Sequence, residues 1–346
     1  MGQSGMGAMK QRVTIVDVAR DAGVSIATVS AALNDRPGVS EPTRKRIVAT
    51  AKRLGWSPSL RGRSLSQKRA FSVGLVIQRN PSVIASDPFF AGFISGVESV
   101  LEDGGYALVL QVAPTRQRTI ARYRQLAADH RVDGVFLTDV SIPDTRFDLV
   151  RRLGIPAVAI NARPGGDGIS SVRQAHEPAI DALLHHLVDL GHRRIAHVSG
   201  PKDYIHAHDR ETAWREYLSG ARIRPGACVE GDFSLASGSR AAAALLRRRP
   251  RPTAVFCAND LMAIGFIAKA TELGFSVPGD VSVAGYDGID FGAYARPSLT
   301  TVTTAPHVLG EQAARTLLAM LDGAPASHVD TEPASLVVRA STGPPT

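Results

Sequence analysis

Residues 17–34, DVARDAGVSIATVSAALN, alternate apolar and polar positions at helical spacing, but the pattern breaks at Gly23-Val24-Ser25 and restarts at once. The spacing predicts a first helix to about Ala22, ended by Gly23 in a left-handed conformation, and a second that Ser25 caps and that runs to about Leu33. Thr14-Ile15-Val16-Asp17 has the capping-box pattern, with a carboxylate able to reach back to the first amide. Ser40 caps a third helix, with Pro42 tolerated in its first turn. Ile47, Ala51 and Leu54 line one face of it, Val48 lies beside them, and Gly55 closes it. A helix, a tight glycine turn and a second helix at a steep angle make the helix-turn-helix plan, which projects the second helix into a DNA major groove about 12 Å wide. A small helical bundle with no nucleic-acid role is the plainer reading of the same pattern.

The texture changes at Phe71. Short apolar runs (FSVGLVI, YALVL, VDGVFL, IPAVAI, RIAHVSG, TAVFCAND, VSVAGYD) alternate with helical patterns such as the face made by Phe90, Ile94, Val97 and Leu101. Apolar strands alternating with helices predict parallel, doubly wound sheets, and there are too many units for one compact half. The predicted fold class is therefore α/β: an all-α head followed by a body of two α/β lobes with a cleft between them. Between head and body, residues 57–70 (SPSLRGRSLSQKRA) are basic, serine-rich and linker-like.

Charge sharpens this division. Residues 10–70 hold thirteen Lys/Arg against four acids, a net of +9, while the remainder of the 346-residue chain is at −1. A cationic head on a neutral body is the footprint of polyanion binding and disfavours the plain bundle. Composition is that of an ordinary globular protein, and no apolar run is long enough to span a membrane. The first eleven residues read as a disordered leader without the apolar centre of an export signal. Cys228 and Cys257, without C-x-x-C neighbours, suggest neither a zinc site nor a disulfide framework and fit a reducing cytoplasm.

VTIVDVARDAGVSIATVSAALN, VSEPTRKRIVATAKRLGW, LGHRRIAHVSG, TAVFCANDLMAIGFIA, GFSVPGDVSVAGYD and PSLTTV stand in the order found in the lac-repressor family of bacterial transcription regulators, and the chain resembles that family from about Val13 to Arg339. The resemblance implies a DNA-binding head (12–57), a hinge (58–70) and an effector-binding, dimerising body (71–342) like periplasmic sugar-binding proteins. The lobes are expected at 71–171 with 303–327, and at 172–302 with 328–342.

By match to the family's second helix, Ile26 and Ala27 take base-reading positions, and Ser25, Thr28, Ser30 and Asn34 take phosphate or groove-edge positions, with Thr14 nearby. Val24 and Val29 are expected in the core. Ile26 opens an exposed turn and can pack on a thymine methyl. Ala31 stands where an arginine can read bases, so selectivity shifts toward apolar contacts, the hinge and DNA shape. Leu65 matches the hinge leucine that wedges into the minor groove, while Ser59 and Gly62 replace the family's common Asn and Ala and predict a hinge helix that forms only on DNA.

For the body, the resemblance places Arg210, Asn259, Asp287, Phe90 and Phe233 around a small effector, with Asp139 as a further candidate. Asn259, Asp260, Asp139 and Asp287 follow predicted strands, where open α/β sheets bind ligands, although Asn259 and Asp260 can equally cap the next helix. The Arg–Asp–Asn set points to a sugar, with a purine-like corepressor as the alternative; Ala175-His176 replaces part of a common family pattern and departs from a standard effector site. No catalytic set stands out, no cofactor or metal is implied, and His185, His186, His206 and His208 read as solvated, as do the arginines of RRRPRP at 247–252. The reading is a cytoplasmic homodimeric repressor of a pseudo-palindromic operator; without a long heptad helix after SLVVRASTGPPT a tail-bundled tetramer is not expected. A periplasmic-type sugar-binding module, the reading from another class, predicts an export signal and no basic helical head.

Overall fold

The computed structural model describes residues 13–33, 36–56, 64, 67, 69–79, 84, 87–162 and 168–346. They form two compact units that divide after Arg69. The leader, most of the hinge, Asn34 and Leu65 lie outside the described residues.

The first unit holds α1 (Ile15–Ala22), α2 (Ile26–Leu33) and α3 (Glu41–Arg53). The backbone N–H of Thr14 donates to Asp17 Oδ2 at 3.0 Å, as the capping pattern predicts. Gly23 ends α1 at φ 65°, where a side chain would be strained, and Ser25 Oγ accepts from the Thr28 N–H at 3.1 Å to start α2. Val18, Val29 and Ile47, one from each helix, are fully buried together, and Val24 packs against them. Val48 turns outward instead, and Arg53 pairs with Asp21 to tie α3 to α1.

The second unit contains two six-stranded sheets. The first is built from β1 (Ser72–Ile77), β2 (Ala107–Val112), β3 (Gly134–Leu137), β4 (Ala157–Ile160), β5 (Ser170–Gln174) and β11 (His328–Thr331), all parallel, in the order β11-β5-β4-β3-β1-β2. Helices α4 (Pro88–Gly104) and α12 (Pro306–Leu321) cover one face of it, and α5 (Arg116–Ala128) and α6 (Thr145–Leu153) the other. The second sheet is built from β6 (Ile195–Ser199), β7 (Cys228–Glu230), β8 (Ala254–Cys257), β9 (Ser282–Asp287), β10 (Thr300–Thr303) and β12 (Ser335–Val337), in the order β12-β10-β9-β8-β6-β7. Only β12 runs antiparallel, against β10. Helices α7 (Glu177–Asp189) and α8 (Ile205–Gly220) cover one face, and α9 (Leu235–Leu245) and α10 (Asp260–Glu272) the other; the short α11 (Asp290–Tyr294) follows β9.

The lobe boundaries expected from sequence need correction. Residues 172–174 belong to β5 and 328–331 to β11, and these two strands pair in the first sheet, His328 opposite Ser171. The Nδ1 of His328 lies 2.9 Å from Ser171 Oγ, and the Ser327 N–H donates to Ser170 Oγ, so this return strand is pinned to the first lobe.

Each lobe brings two helices together over glycine. A Cβ on Gly96 would lie 1.9 Å from the carbonyl oxygen of His307 in the α4–α12 pair, and one on Gly238 would lie 2.0 Å from that of Met262 in the α9–α10 pair. The backbones themselves are the packing surface at these points.

Candidate functional site

In the head, Ser25, Ile26 and Ala27 are exposed on the first turn of α2, and Thr28 and Ser30 are half-buried beside them. Thr14 is exposed at the start of α1. Ile26 keeps 47% of its surface accessible although Val29, one turn on, has none. An apolar side chain held outward at the start of such a helix suits a thymine methyl.

In the body, the strand ends of both sheets converge on one cavity with about 50 Å³ of free space. Arg79 follows β1, Thr138 and Asp139 follow β3, Asn161 follows β4, Asn259 follows β8, and Asp287 ends β9. A smaller chamber of about 20 Å³ shares Phe89, Asn161, His206, Arg210 and Asp287 with it and adds Gln174, His176 and Tyr286. The lobes are stitched beside it, where the Ile142 N–H donates to Asp203 O and the Ile205 N–H to Val140 O, both at 2.9 Å.

Arg79 fills the centre. Its Nε and Nη2 donate to the two carboxylate oxygens of Asp139 at 2.8 and 2.6 Å, and Nη1 lies 3.6 Å from Asp87. Its guanidinium also lies 4.8 Å from the ring centre of Phe233, 5.5 Å from Tyr204 and 5.7 Å from Phe90. Burial works against the Asp139 charge, but Arg79 outweighs it and holds the carboxyl below its ordinary range. Burial dominates at Asp87 and raises it, Arg79 notwithstanding.

Arg210 defines the other wall. It donates to Ala258 O at 2.6 Å, stacks 3.7 Å over the Tyr286 ring and reaches within 3.9 Å of Asp287, while its buried Nε has no hydrogen-bond partner. Burial raises the Asp287 carboxyl well above its usual range despite that arginine. A carboxyl kept protonated in this way can donate a hydrogen bond to a ligand hydroxyl as well as accept one.

Four of the residues around this cavity hold left-handed backbone without being glycine: Asp139 (φ 49°), Asn161 (φ 53°), Phe233 (φ 66°) and Asp287 (φ 113°). Such conformations cost about 1–3 kcal/mol each and persist where the surroundings impose them, as binding sites do.

The family comparisons agree with this geometry. Residues 14–59 match the pattern for bacterial regulatory proteins of the lacI family, and residues 184–342 match the periplasmic binding protein-like domain. The chain is 32% identical over 308 residues to the HTH-type transcriptional repressor PurR of Photobacterium profundum, covering 88% of this chain and 91% of that one. The chain belongs to the lacI family. Among solved structures, this lacI-family regulator is similar to the transcriptional regulator CelR–cellobiose complex, with a TM-score of 0.73 and 31% identity over 95% of this chain and all of that one. It is also similar to the lac repressor dimer bound to operator and an anti-inducer, with a TM-score of 0.79 and 29% identity over 96% of this chain and all of that one. It is thus a DNA-binding transcriptional regulator with a body built to take a small effector. Among the described residues no helix is long and apolar enough to cross a membrane.

Of the residues singled out in sequence, Asp139, Arg210, Phe233, Asn259 and Asp287 all line the cavity of this regulator. Phe90 does not. It is 2% exposed and packs inward beneath α4, while its neighbour Phe89 faces the free space. Asn259 is largely committed: its Oδ1 accepts from the Met262 N–H to cap α10, and its Nδ2 donates to the backbone carbonyl of Phe233 at 3.0 Å. Asp260 is internal, its carboxylate accepting from the Ile289 N–H and the Thr301 hydroxyl.

His206 departs from the solvated reading. It stacks between Tyr204 and Phe233, ring centres 5.6 and 5.4 Å away, and burial followed by the nearby Arg210 charge lowers its pKa to about 3. His186 is half-buried and lies 2.9 Å from the Thr342 hydroxyl; His185 and His208 are exposed, as expected. Arg79, Asp87, Phe89 and Asn161 escaped the sequence reading. Arg79 and Asn161 each lie one or two residues past an apolar run, the position that drew attention to Asp139 and Asn259.

Proposed function

We propose that this regulator is a homodimeric repressor released from a pseudo-palindromic operator when a sugar occupies the body cavity. The observation that carries the sugar reading is the wall chemistry. Arg210, Asp287 and Asn161 offer planar polar edges for hydroxyls, and Phe89 and Phe233 offer apolar faces for C–H surface. The CelR complex with cellobiose, similar over the whole body, supports it. Free space of about 50 Å³ is far below the roughly 300 Å³ of pockets that hold sizeable ligands, so a sugar must part the lobes or displace Arg79. Only a ligand with different affinity for the two lobe arrangements can shift DNA binding, and a sugar that must part the lobes to enter would be such a ligand.

In the head, Ile26 and Ala27 read the major groove while Ser25, Thr28, Ser30 and Thr14 meet its edges; Asn34 and the Leu65 wedge extend the contact in the family manner. The protein works in the cytoplasm, beside the chromosome. A second copy accounts for Phe291 and Tyr294 of α11, which are 74% and 80% exposed, and for Leu110 on the edge strand β2.

Melting temperature and operator anisotropy, measured against panels of sugars and nucleobases, test this reading. A sugar should raise the melting temperature and weaken operator binding, and Arg210→Ala and Asp287→Ala should respond to neither effect. A nucleobase that strengthens operator binding would replace induction with corepression. If no polar metabolite acts, or the variants respond like the parent, the cavity assignment fails.

A further inference from the structure

At the opposite end of the second sheet from the effector cavity, the segments that lead into β6, β7 and β8 enclose a groove of about 520 Å³. Its lining is Arg193, Arg194, Arg224, Arg248 and Arg249, with Pro225, Pro250 and Pro252 among the rest. All five arginines are exposed. Among the described residues no carboxylate lies within 4.0 Å of any of these guanidiniums.

Some surface arginines on this chain are neutralised by neighbours, Arg215 by Glu211, Arg240 by Asp232 and Arg151 by Asp148; what distinguishes the groove is that five uncompensated ones share a single hollow. Three of the five groove arginines are held by uncharged acceptors. Arg193 Nη1 donates to Val188 O and His192 O at 2.9 and 3.0 Å, Arg194 Nε to Arg251 O at 2.9 Å, and Arg249 Nη1 to Arg248 O at 3.1 Å. These bonds orient the forks without cancelling their charge. The proline backbone limits how far the walls can move, which lowers the entropy lost on binding.

We propose that this groove is a second anion site, which takes a small molecule carrying two or more phosphate groups. The volume falls within the roughly 300–1,000 Å³ range of small-molecule sites. Guanidinium forks match phosphate oxygens in bidentate pairs, and five of them around one concavity call for several negative charges close together. A DNA duplex is the poorer fit, because the arginines ring a hollow and none stands on a helix or ribbon that could enter a groove. The site is separate from the sugar cavity and does not depend on it.

Inorganic tripolyphosphate is the probe, titrated calorimetrically into the full chain at physiological ionic strength. The parent should bind it, and Arg224→Glu/Arg249→Glu should bind at least about tenfold more weakly, with its ligand-free melting temperature unchanged because both side chains are exposed. Arg248→Gln, which removes one charge without reversing it, should fall between the two. Equal binding by parent and variants would put the anion elsewhere, the basic head included, and overturn the proposal. So would potassium chloride at matched ionic strength giving the same stabilisation as the probe. A random duplex that loses affinity in the variants while tripolyphosphate never binds would make the groove a DNA track and overturn it too.

Discussion

Arg79 and Asp139 form a two-pronged ion pair inside the effector cavity, with nitrogen–oxygen distances of 2.8 and 2.6 Å. Both residues belong to the first lobe, one after β1 and one after β3, yet two of the rings around the guanidinium, Tyr204 and Phe233, come from the second. The pair therefore holds a cation where both lobes can grip it. Removing one partner from a buried pair leaves the other charge uncompensated. Asp139→Asn should lower the unfolding free energy of the body by about 3 kcal/mol, the lower end of the range for buried pairs, since Asp87 remains 3.6 Å from Arg79. Arg79→Met combined with Asp139→Leu should recover most of that loss. Urea unfolding followed by tryptophan fluorescence reads it through Trp214, which is fully buried; a single variant as stable as the parent would mean that the pair carries no such charge burden.

His206 gives the cavity a pH signature. Its pKa is depressed to about 3 in the folded chain against an ordinary 6.5. The unfolded chain therefore takes up the proton first, and the stabilisation from keeping His206 neutral is complete above about pH 6.5 and lost as pH falls toward 3. His197, lowered to about 4 by burial, acts in the same direction. Asp260, raised to about 7 by burial, acts in the opposite one, losing its contribution as pH rises from about 4 to 7. The difference between parent and variant isolates one group. His206→Phe should reduce the acid loss between pH 6 and 4 by up to about 1.4 kcal/mol per pH unit. Parallel stability–pH curves for the two proteins would contradict this.

Much of this architecture was legible in residue order. Gly23, Ser25 and Gly55 act locally, through capping and left-handed turns, and Ser40 stands at the N-cap position of α3, although its hydroxyl meets that of Thr43 rather than a backbone N–H; the three head helices follow from neighbouring residues. The seven apolar runs of the body are all strands. Six of them owe their unbroken apolar character to burial on both faces of a parallel sheet, while β2, from YALVL, is a more exposed edge. The strands that escaped notice are β5, β7, β10, β11 and β12. SSVRQ and HVDT are short and mixed, and their strand character comes from pairing across more than 150 residues. Asp139, Arg210 and Asp287 were readable because strand ends and family matches coincide there. Arg79 was not, since its meaning lies in Asp139, Tyr204 and Phe233, partners from distant segments. The choice between Phe89 and Phe90 turns on which side of α4 faces the core, a matter of about 100° of rotation that the aromatic pair alone does not decide.

The glycine contact between α4 and α12 should be sensitive to a single methyl group. At Gly96 the added Cβ would meet the His307 carbonyl oxygen at 1.9 Å, and backbone cannot swing aside as a side chain can. Gly96→Ala should cost about 3 kcal/mol, at the top of the usual range for overpacking. Gly104, at the end of the same helix, has nothing nearer than 3.5 Å, the distance to both Leu318 and Tyr106 side-chain carbons. Gly104→Ala should be neutral or stabilise by up to about 1 kcal/mol through helix propensity. Thermal unfolding of the two variants side by side checks the contrast, and equal midpoints would show that the helices part without penalty.

Ile26 separates sequence reading from stability in the head. Nearly half of its surface is exposed, while the core of the three helices is completed by Val18, Val29 and Ile47. Truncation to alanine should therefore leave the melting temperature of the head nearly unchanged, a surface effect within about 0.5 kcal/mol. If the side chain packs on a thymine methyl, operator affinity should fall about tenfold, and random duplex affinity should not. The slope of log affinity against log salt should stay the same for both proteins, because phosphate contacts set that slope and Ile26 makes none. Anisotropy titrations of operator and random duplex over a salt series measure all three quantities. Undiminished operator binding by Ile26→Ala would remove Ile26 from the reading surface and leave recognition to Ala27, its polar neighbours and the shape of the DNA.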